Sequence, residues 1–325
     1  MHRDELIEAV RSVLARSGFY VSRPLSMRGI SFDIVARRDS SLLIVKILSN
    51  VDAFSKENAE EMTTLGEALG ASPLLVGERS GSGEIDESIV YSRFGVPIIS
   101  LKTLSDYLLE GVPPFIFAAP GGLYVKLDSD MLRKAREERN ISLGTLAEVA
   151  GVSRRTIQMY EGGMGAMIDV AIRLEEFLNA PIVTSVDPFA PPAPRGKEKA
   201  EPPPRKVEMQ DIFGQEVFRS LQAMGFSIMP TMRCPFEALT KDVRVLMLTG
   251  LGKDESKLKE KALVVRDISR ITERSSVIII ERYRSKANIE GTAIVGKDEL
   301  KKLHESYRLY ELVNERSDED EKNKC

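Results

Sequence analysis

Arg154, Arg155 and Gln158 stand close together in the run Ser153-Arg-Arg-Thr-Ile-Gln-Met-Tyr-Glu. A guanidinium offers its donors in a planar fork that matches the O6 and N7 acceptors of guanine, and a glutamine amide reads adenine or binds a phosphate. Ser142 and Ser153 each precede a short apolar-patterned run. There a serine hydroxyl caps a helix, and the first backbone N–H groups point toward any nearby phosphate. Duplex DNA is the partner this chemistry suits.

The elements that must hold these groups can be read from local signals. Leu132 to Arg139 reads as a helix with Met131, Leu132 and Ala135 on one stripe, and Asn140 is suited to the left-handed conformation that ends it. Ser142 starts a helix over Leu143 to Ala150. Gly151 makes the turn, Val152 plugs its corner, and Ser153 caps a helix over Arg154 to Glu161. Two short helices joined by three residues, with Gly at the turn, can present the second helix to a major groove. A further helix, Ile168 to Leu178, supplies Ala171, Ile172, Leu174, Phe177 and Leu178 to close a small core.

The stretch Leu132 to Pro181 resembles the lambda-repressor/Cro family of helix-turn-helix domains, through Leu146-Ala147, Gly151-Val152-Ser153, Thr156-Ile157 and Tyr160-Glu161-Gly162. It covers about one sixth of the chain. The resemblance implies that Ile157 and Tyr160 face the core while Arg154, Arg155, Gln158 and Met159 face outward. Ser142, Leu143, Ser153 and Thr156 complete the candidate DNA-binding set. It also implies that Glu161 pairs with Arg136 on the first helix to orient the recognition helix. One departure stands out: the family often begins its second helix with a glutamine that braces a phosphate contact, and Leu143-Gly144 occupies that place.

The overall charge does not favour unselective DNA binding. Lys plus Arg number 46 against 49 Asp plus Glu, a net charge of −3, so any grip on phosphates must come from a local patch. The 42% hydrophobic content is enough for real cores. Cys234, Cys325, His2 and His304 are the complete set of soft ligands and lack metal-site spacing, so neither a disulfide framework nor a structural zinc is expected. The polar N-terminus and the lack of any apolar run near the roughly 20 residues of a membrane span point to a cytoplasmic chain.

On either side of the helical stretch the pattern is α/β. A helix over residues 4 to 17 precedes strand-like runs at Tyr20 to Arg23, Ser31 to Arg38 and Leu42 to Leu48. A helix over Ala53 to Leu69 follows, then a strand at Pro73 to Val76, a polar loop at Gly77 to Gly83, a strand at Val96 to Ser100 and a helix near Thr103 to Leu109. The Pro-rich run Val186 to Arg205 reads as a semi-stiff linker, and the charged end, Asn314 to Cys325, as a frayed tail. Between them the first pattern returns, offset by roughly 203 to 207 residues: Gly225-Phe226 for Gly18-Phe19, Glu237 for Asp33, Thr249 for Lys46 and Ser276 to Glu281 for Pro73 to Glu78.

The αβββαβ order is similar to the core of the restriction-endonuclease-like fold, whose active members use an acid followed by acid-x-Lys to bind Mg²⁺ and activate water. Asp33 matches the first acid and Lys46 the lysine, but Ile44 stands where the second carboxylate belongs, and Glu8 of the first helix is the acid left to supplement it. A structural strand pair is the favoured reading of Asp33 and Lys46.

The whole chain is similar to archaeal helix-turn-helix transcriptional regulators. The expected fold is therefore multidomain: two degenerate restriction-endonuclease-like α/β domains (1–112 and 207–313) flanking a four- to five-helix lambda-repressor/Cro-type domain at 128–183, with a linker at 184–206 and a flexible tail at 314–325. The resemblance implies a transcriptional regulator of double-stranded DNA, and because one short recognition helix reads only a half-site, a homodimer is expected. No catalytic residue, metal or cofactor is assigned, and an effector or protein partner is left open. The alternative is a DNA nuclease or repair factor using Asp33 and Lys46.

Overall fold

The computed structural model describes residues 2–25, 29–190, 211–254, 258–282 and 286–322. The linker expected at 184–206 thus lies largely outside the described residues.

The N-terminal α/β part comprises α1 (Arg3–Arg16), β1 (Tyr20–Val21), β2 (Ile34–Arg38), β3 (Ser41–Asn50), α2 (Lys56–Leu69), β4 (Ser72–Ser80), β5 (Gly83–Glu84), β6 (Ile89–Arg93), β7 (Val96–Ile99) and α3 (Leu101–Ser105). Leu6, Ile7, Val10, Val13 and Leu14 are the buried stripe of α1, at the helical spacing. The run Leu42 to Ile47 is buried on both faces of β3, as the inner strands of a sheet covered on both sides must be. The loop expected at Gly77 to Gly83 is instead the outer half of β4, which turns back into β5 with Arg79 opposite Glu84. Polar residues form a strand here because the pairing is at the surface.

The helical part contains β8 (Ile116–Ala119), β9 (Gly122–Leu127), α4 (Ser129–Glu138), α5 (Leu143–Ala150), α6 (Arg154–Tyr160), β10 (Ala166–Met167), α7 (Ile168–Leu178) and β11 (Val183–Thr184). The β8–β9 hairpin was not expected. Its turn uses Gly121 and Gly122, both at positive φ, where a side chain would be strained. Strand β8 runs parallel to β6, with Ile89 opposite Ile116, and β9 is flanked by β10 and β11. The first sheet accordingly runs β1-β2-β3-β4-β7-β6-β8-β9-β10.

The C-terminal part comprises α8 (Ile212–Ala223), β12 (Ser227–Pro230), β13 (Ala238–Lys241), β14 (Leu246–Asp254), α9 (Lys259–Thr272), β15 (Ser275–Arg282), β16 (Asn288–Ile289), β17 (Thr292–Gly296), α10 (Lys297–Leu300) and α11 (Ser306–Lys322). Its strand order, β12-β13-β14-β15-β17-β16, matches the order β1-β2-β3-β4-β7-β6 of the first sheet. Pairing directions also agree wherever they can be set side by side: antiparallel β12–β13 and β1–β2, parallel β15–β17 and β4–β7, antiparallel β16–β17 and β6–β7. Val277 and Ile279 pack with α8, α10 and α11 on one face, whereas Ile278 and Ile280 pack with α9 on the other. That two-sided cover explains why the strand is apolar without alternation.

Helix α11 runs into the charged end as far as Lys322, and the last three residues of the tail expected there lie outside the described residues. Leu309 and Val313 are fully buried, and Arg316 holds Glu299 at 2.6 Å while its carbonyl accepts from Asn288. Long-range anchors of this kind are invisible in a run of charges.

The chain divides into two compact units, Met1–Gly18 with Val45–Thr63 and Ser72–Pro192, and Phe19–Ile44 with Thr64–Ala71 and Ala193–Cys325. The second unit therefore takes in β1, β2 and the end of α2. Within it, the Ser31 N–H donates to the Arg233 carbonyl at 2.9 Å, and Arg37 binds both the Ile271 carbonyl and Glu273, at 3.2 and 3.0 Å.

Candidate nucleic-acid interface

Each short helix around the turn is ended by local chemistry. The Asp128 carboxylate accepts from the Met131 N–H at 2.8 Å and starts α4, and Asn140 stands at φ 55° beyond its end. The Ser142 hydroxyl accepts from the Thr145 N–H at 3.0 Å, and that of Ser153 from the Thr156 N–H at 3.1 Å. Gly151, at φ 69°, closes α5: its N–H reaches the Glu148 carbonyl, and that of Val152 reaches Ala147. This is the paired closure that a left-handed residue permits. Arg173 adds a hydrogen bond to the Ala150 carbonyl at 2.9 Å. Replacing Ser153 by Ala should cost α6 about 1 kcal/mol of local stability. Faster amide exchange at Thr156 and Ile157 would register the loss, and unchanged exchange would refute it.

These caps hold the helices against one core. Leu132, Ala135, Leu146, Ala147, Ala150, Ile157, Tyr160, Leu174 and Leu178 are buried together, with Val125 and Leu127 of β9 among them. Met131, Ile172 and Phe177, expected in that core, are 38–49% exposed. The buried face of α7 is Val170, Ala171, Leu174 and Leu178, and residues 172 and 177 point away from a stripe of that phase. On α6, Ile157 and Tyr160 face inward, while Arg154, Arg155, Gln158 and Met159 are exposed; Thr156 is half-buried.

Arg136 binds Glu161 with both prongs, Nε to Oε1 at 2.5 Å and Nη2 to Oε2 at 3.2 Å. The pair is largely buried, with side chains 14% and 8% exposed. The hydrogen bond to Glu161 raises the Arg136 pKa against the opposing effect of burial. Arg133, which the sequence did not single out, donates to the Glu161 carbonyl at 2.9 Å. The end of α6 is thus tied to α4 by two arginines. Arg154 and Arg155 differ from these: among the described residues neither makes an ion pair or hydrogen bond. The surface of α6 carries two unneutralised positive charges.

The acids and lysines of the α/β parts are placed differently. Asp33, Lys46 and Glu61 are buried, and so is Ile44, two residues before Lys46. Glu8 is exposed and is held by Arg11 at 2.9 Å on the surface of α1. Among the described residues no three of His, Cys, Asp and Glu come together at metal-binding distance. In the C-terminal part, Glu237 accepts from Lys261 Nζ at 2.6 and 2.7 Å and from the Leu251 N–H at 2.7 Å. Thr249 is buried and bonded to Thr240 at 2.8 Å. The lysine that meets Glu237 therefore comes from α9, 24 residues along the chain, and no strand spacing announces it.

Comparison with known proteins finds two family matches along the chain. Residues 3–114 match a PD-(D/E)XK superfamily domain and residues 132–184 a helix-turn-helix. The chain is 36% identical over 323 residues to a protein of Methanosarcina acetivorans, covering 98% of each. It is 39% identical over 320 residues to one of Halorubrum lacusprofundi, again covering 98% of each. Both carry the name "Putative HTH-type transcriptional regulatory protein". No solved structure matches. Among the described residues, no helix is long and apolar enough to cross a membrane.

Proposed function

Since the chain belongs to the family of archaeal HTH-type transcriptional regulatory proteins, we propose that it is a sequence-specific double-stranded-DNA-binding regulator that inserts α6 into the major groove. The observation that carries this is the pair Arg154 and Arg155, exposed and unneutralised on a helix whose opposite face is locked into the helical core. One short recognition helix reads only a half-site, so the working form is a homodimer on two half-sites about 34 Å apart. It acts in the cytoplasm, needs no cofactor, and leaves room for an effector or protein partner.

The domains are 1–112, 128–183 and 207–313, the last a diverged, restriction-endonuclease-like repeat of the first. The shared strand order supports that descent. Neither α/β domain cuts DNA. Ile44 stands in place of a metal-binding carboxylate, and both Glu237 oxygens are already taken by Lys261. The second reading, a nuclease, draws on the PD-(D/E)XK match together with buried Asp33 and Lys46.

One experiment separates them. Purified protein is mixed with fragmented genomic DNA at physiological salt, with and without Mg²⁺, and the retained fragments are sequenced. A recurring palindromic site in intact DNA is expected. Fragments nicked only when Mg²⁺ is present, with nicking lost in Asp33→Ala, would instead establish the nuclease.

A further inference from the structure

Gly144, the second residue of α5, has no side chain where Arg154 needs space. A Cβ at this position would stand 3.0 Å from Nε and Nη2 of Arg154 and 3.2 Å from its Cζ. The guanidinium of the first residue of α6 thus lies back against the bare backbone of α5. Gly144 stands in the first turn of the eight-residue α5, where the absence of a side chain leaves open the space the guanidinium occupies.

What the seated group would meet follows from docking geometry. In helix-turn-helix complexes the first helix of the pair crosses the DNA backbone while the second enters the groove. A cation laid on α5 therefore faces phosphate, and its planar fork suits two phosphate oxygens. Arg155 is exposed on α6, and Gln158 follows it at i+3, on the same face.

We propose that Gly144 and Arg154 form a DNA-phosphate clamp, with Gly144 as its positioning residue, and that sequence discrimination falls to Arg155 and Gln158. This rests on the reading that α6 enters the major groove. It gives the bare residue at the start of α5 a function: the cation comes from α6 because α5 supplies no side chain.

The test uses full-length protein, a random-sequence duplex, and a duplex enriched from a random library by the wild type, each titrated across a salt series. Arg154→Ala should weaken binding to both duplexes by a common factor of about ten. It should also flatten the slope of log affinity against log salt by about 0.9, one phosphate contact. Gly144→Leu fills the seat with an uncharged, helix-favouring side chain and should reproduce both effects with Arg154 still present; circular dichroism checks that the variant folds. Arg155→Ala should relax the preferred base at one position of the enriched site.

The clamp is overturned if Arg154→Ala changes the preferred base but leaves the random-duplex slope intact, or if Gly144→Leu binds as the wild type does. A wild type that binds duplexes with ordinary salt dependence but enriches no sequence would overturn the regulator reading, while the two slopes would still decide the clamp. A wild type that binds no duplex overturns both.

Discussion

Replacing Arg154 and Arg155 together by alanine is expected to lower affinity for the enriched duplex by about a hundredfold or more. The reasoning is one of unspent charge. Most guanidinium groups around the turn are engaged: Arg133 and Arg136 with Glu161, Arg173 with Asp169 and the Ala150 carbonyl. Arg154 and Arg155 make no hydrogen bond or ion pair among the described residues. Removing them takes nothing from the fold, so melting and amide exchange should match the wild type. Their worth lies in the complex, where each contact is expected to contribute about 1.4 kcal/mol or more, tenfold apiece, so that losing both reaches about a hundredfold. Competition binding on the enriched duplex decides the matter; undiminished affinity would remove α6 from the interface.

The second large effect concerns the tie behind α6. Glu161→Ala strands the Arg136 guanidinium, which is 14% exposed, and releases Arg133 from the same carboxylate. Breaking a buried pair by deleting one partner costs about 3–5 kcal/mol. Here the exposed Glu137 carboxylate, 3.2 Å from Arg136, and the Ile141 carbonyl retain part of the interaction. A loss of about 2–3 kcal/mol in the helical domain is therefore expected. Chain-wide melting would blur this, because a multidomain chain need not unfold in one step. Amide exchange in α4 to α7, referenced to the strands of the C-terminal sheet, isolates it. Arg136→Met combined with Glu161→Leu should recover most of the stability, since an apolar pair leaves no buried charge. Equal exchange in the single variant and the wild type would show that the pair is ornamental.

The two effects act on different links of one chain of causes. On the proposed reading, the arginines on the outer face of α6 supply its contacts with DNA. The ion pair at its far end sets how rigidly the helix is offered, and a loosened reading head loses affinity even with every contact residue present. The two sets should therefore separate cleanly: outer-face variants stable but weak in binding, pair variants unstable first and weak as a consequence.

The helix-turn-helix was legible in the sequence because its determinants are local. Serines at caps, Asn140 and Gly151 at left-handed positions, and apolar residues at i, i+3 and i+4 fix the backbone within a few residues of themselves. The repeated α/β pattern was legible for the same reason, since strands covered on both faces are written as unbroken apolar runs. Tertiary structure decided the rest. The seat of Arg154 on Gly144 joins two helices across a turn, the hold of Lys261 on Glu237 spans a strand and a helix, and Arg316 on Glu299 turns a run of charges into a docked helix. The β8–β9 hairpin joins the helical core through Val125 and Leu127, with Ile116 packed against it. A charged side chain carries no record in the sequence of which distant partner will reach it. Caps and periodicity are set by neighbours along the chain, whereas ion pairs and seats are set by the register in which separate elements meet.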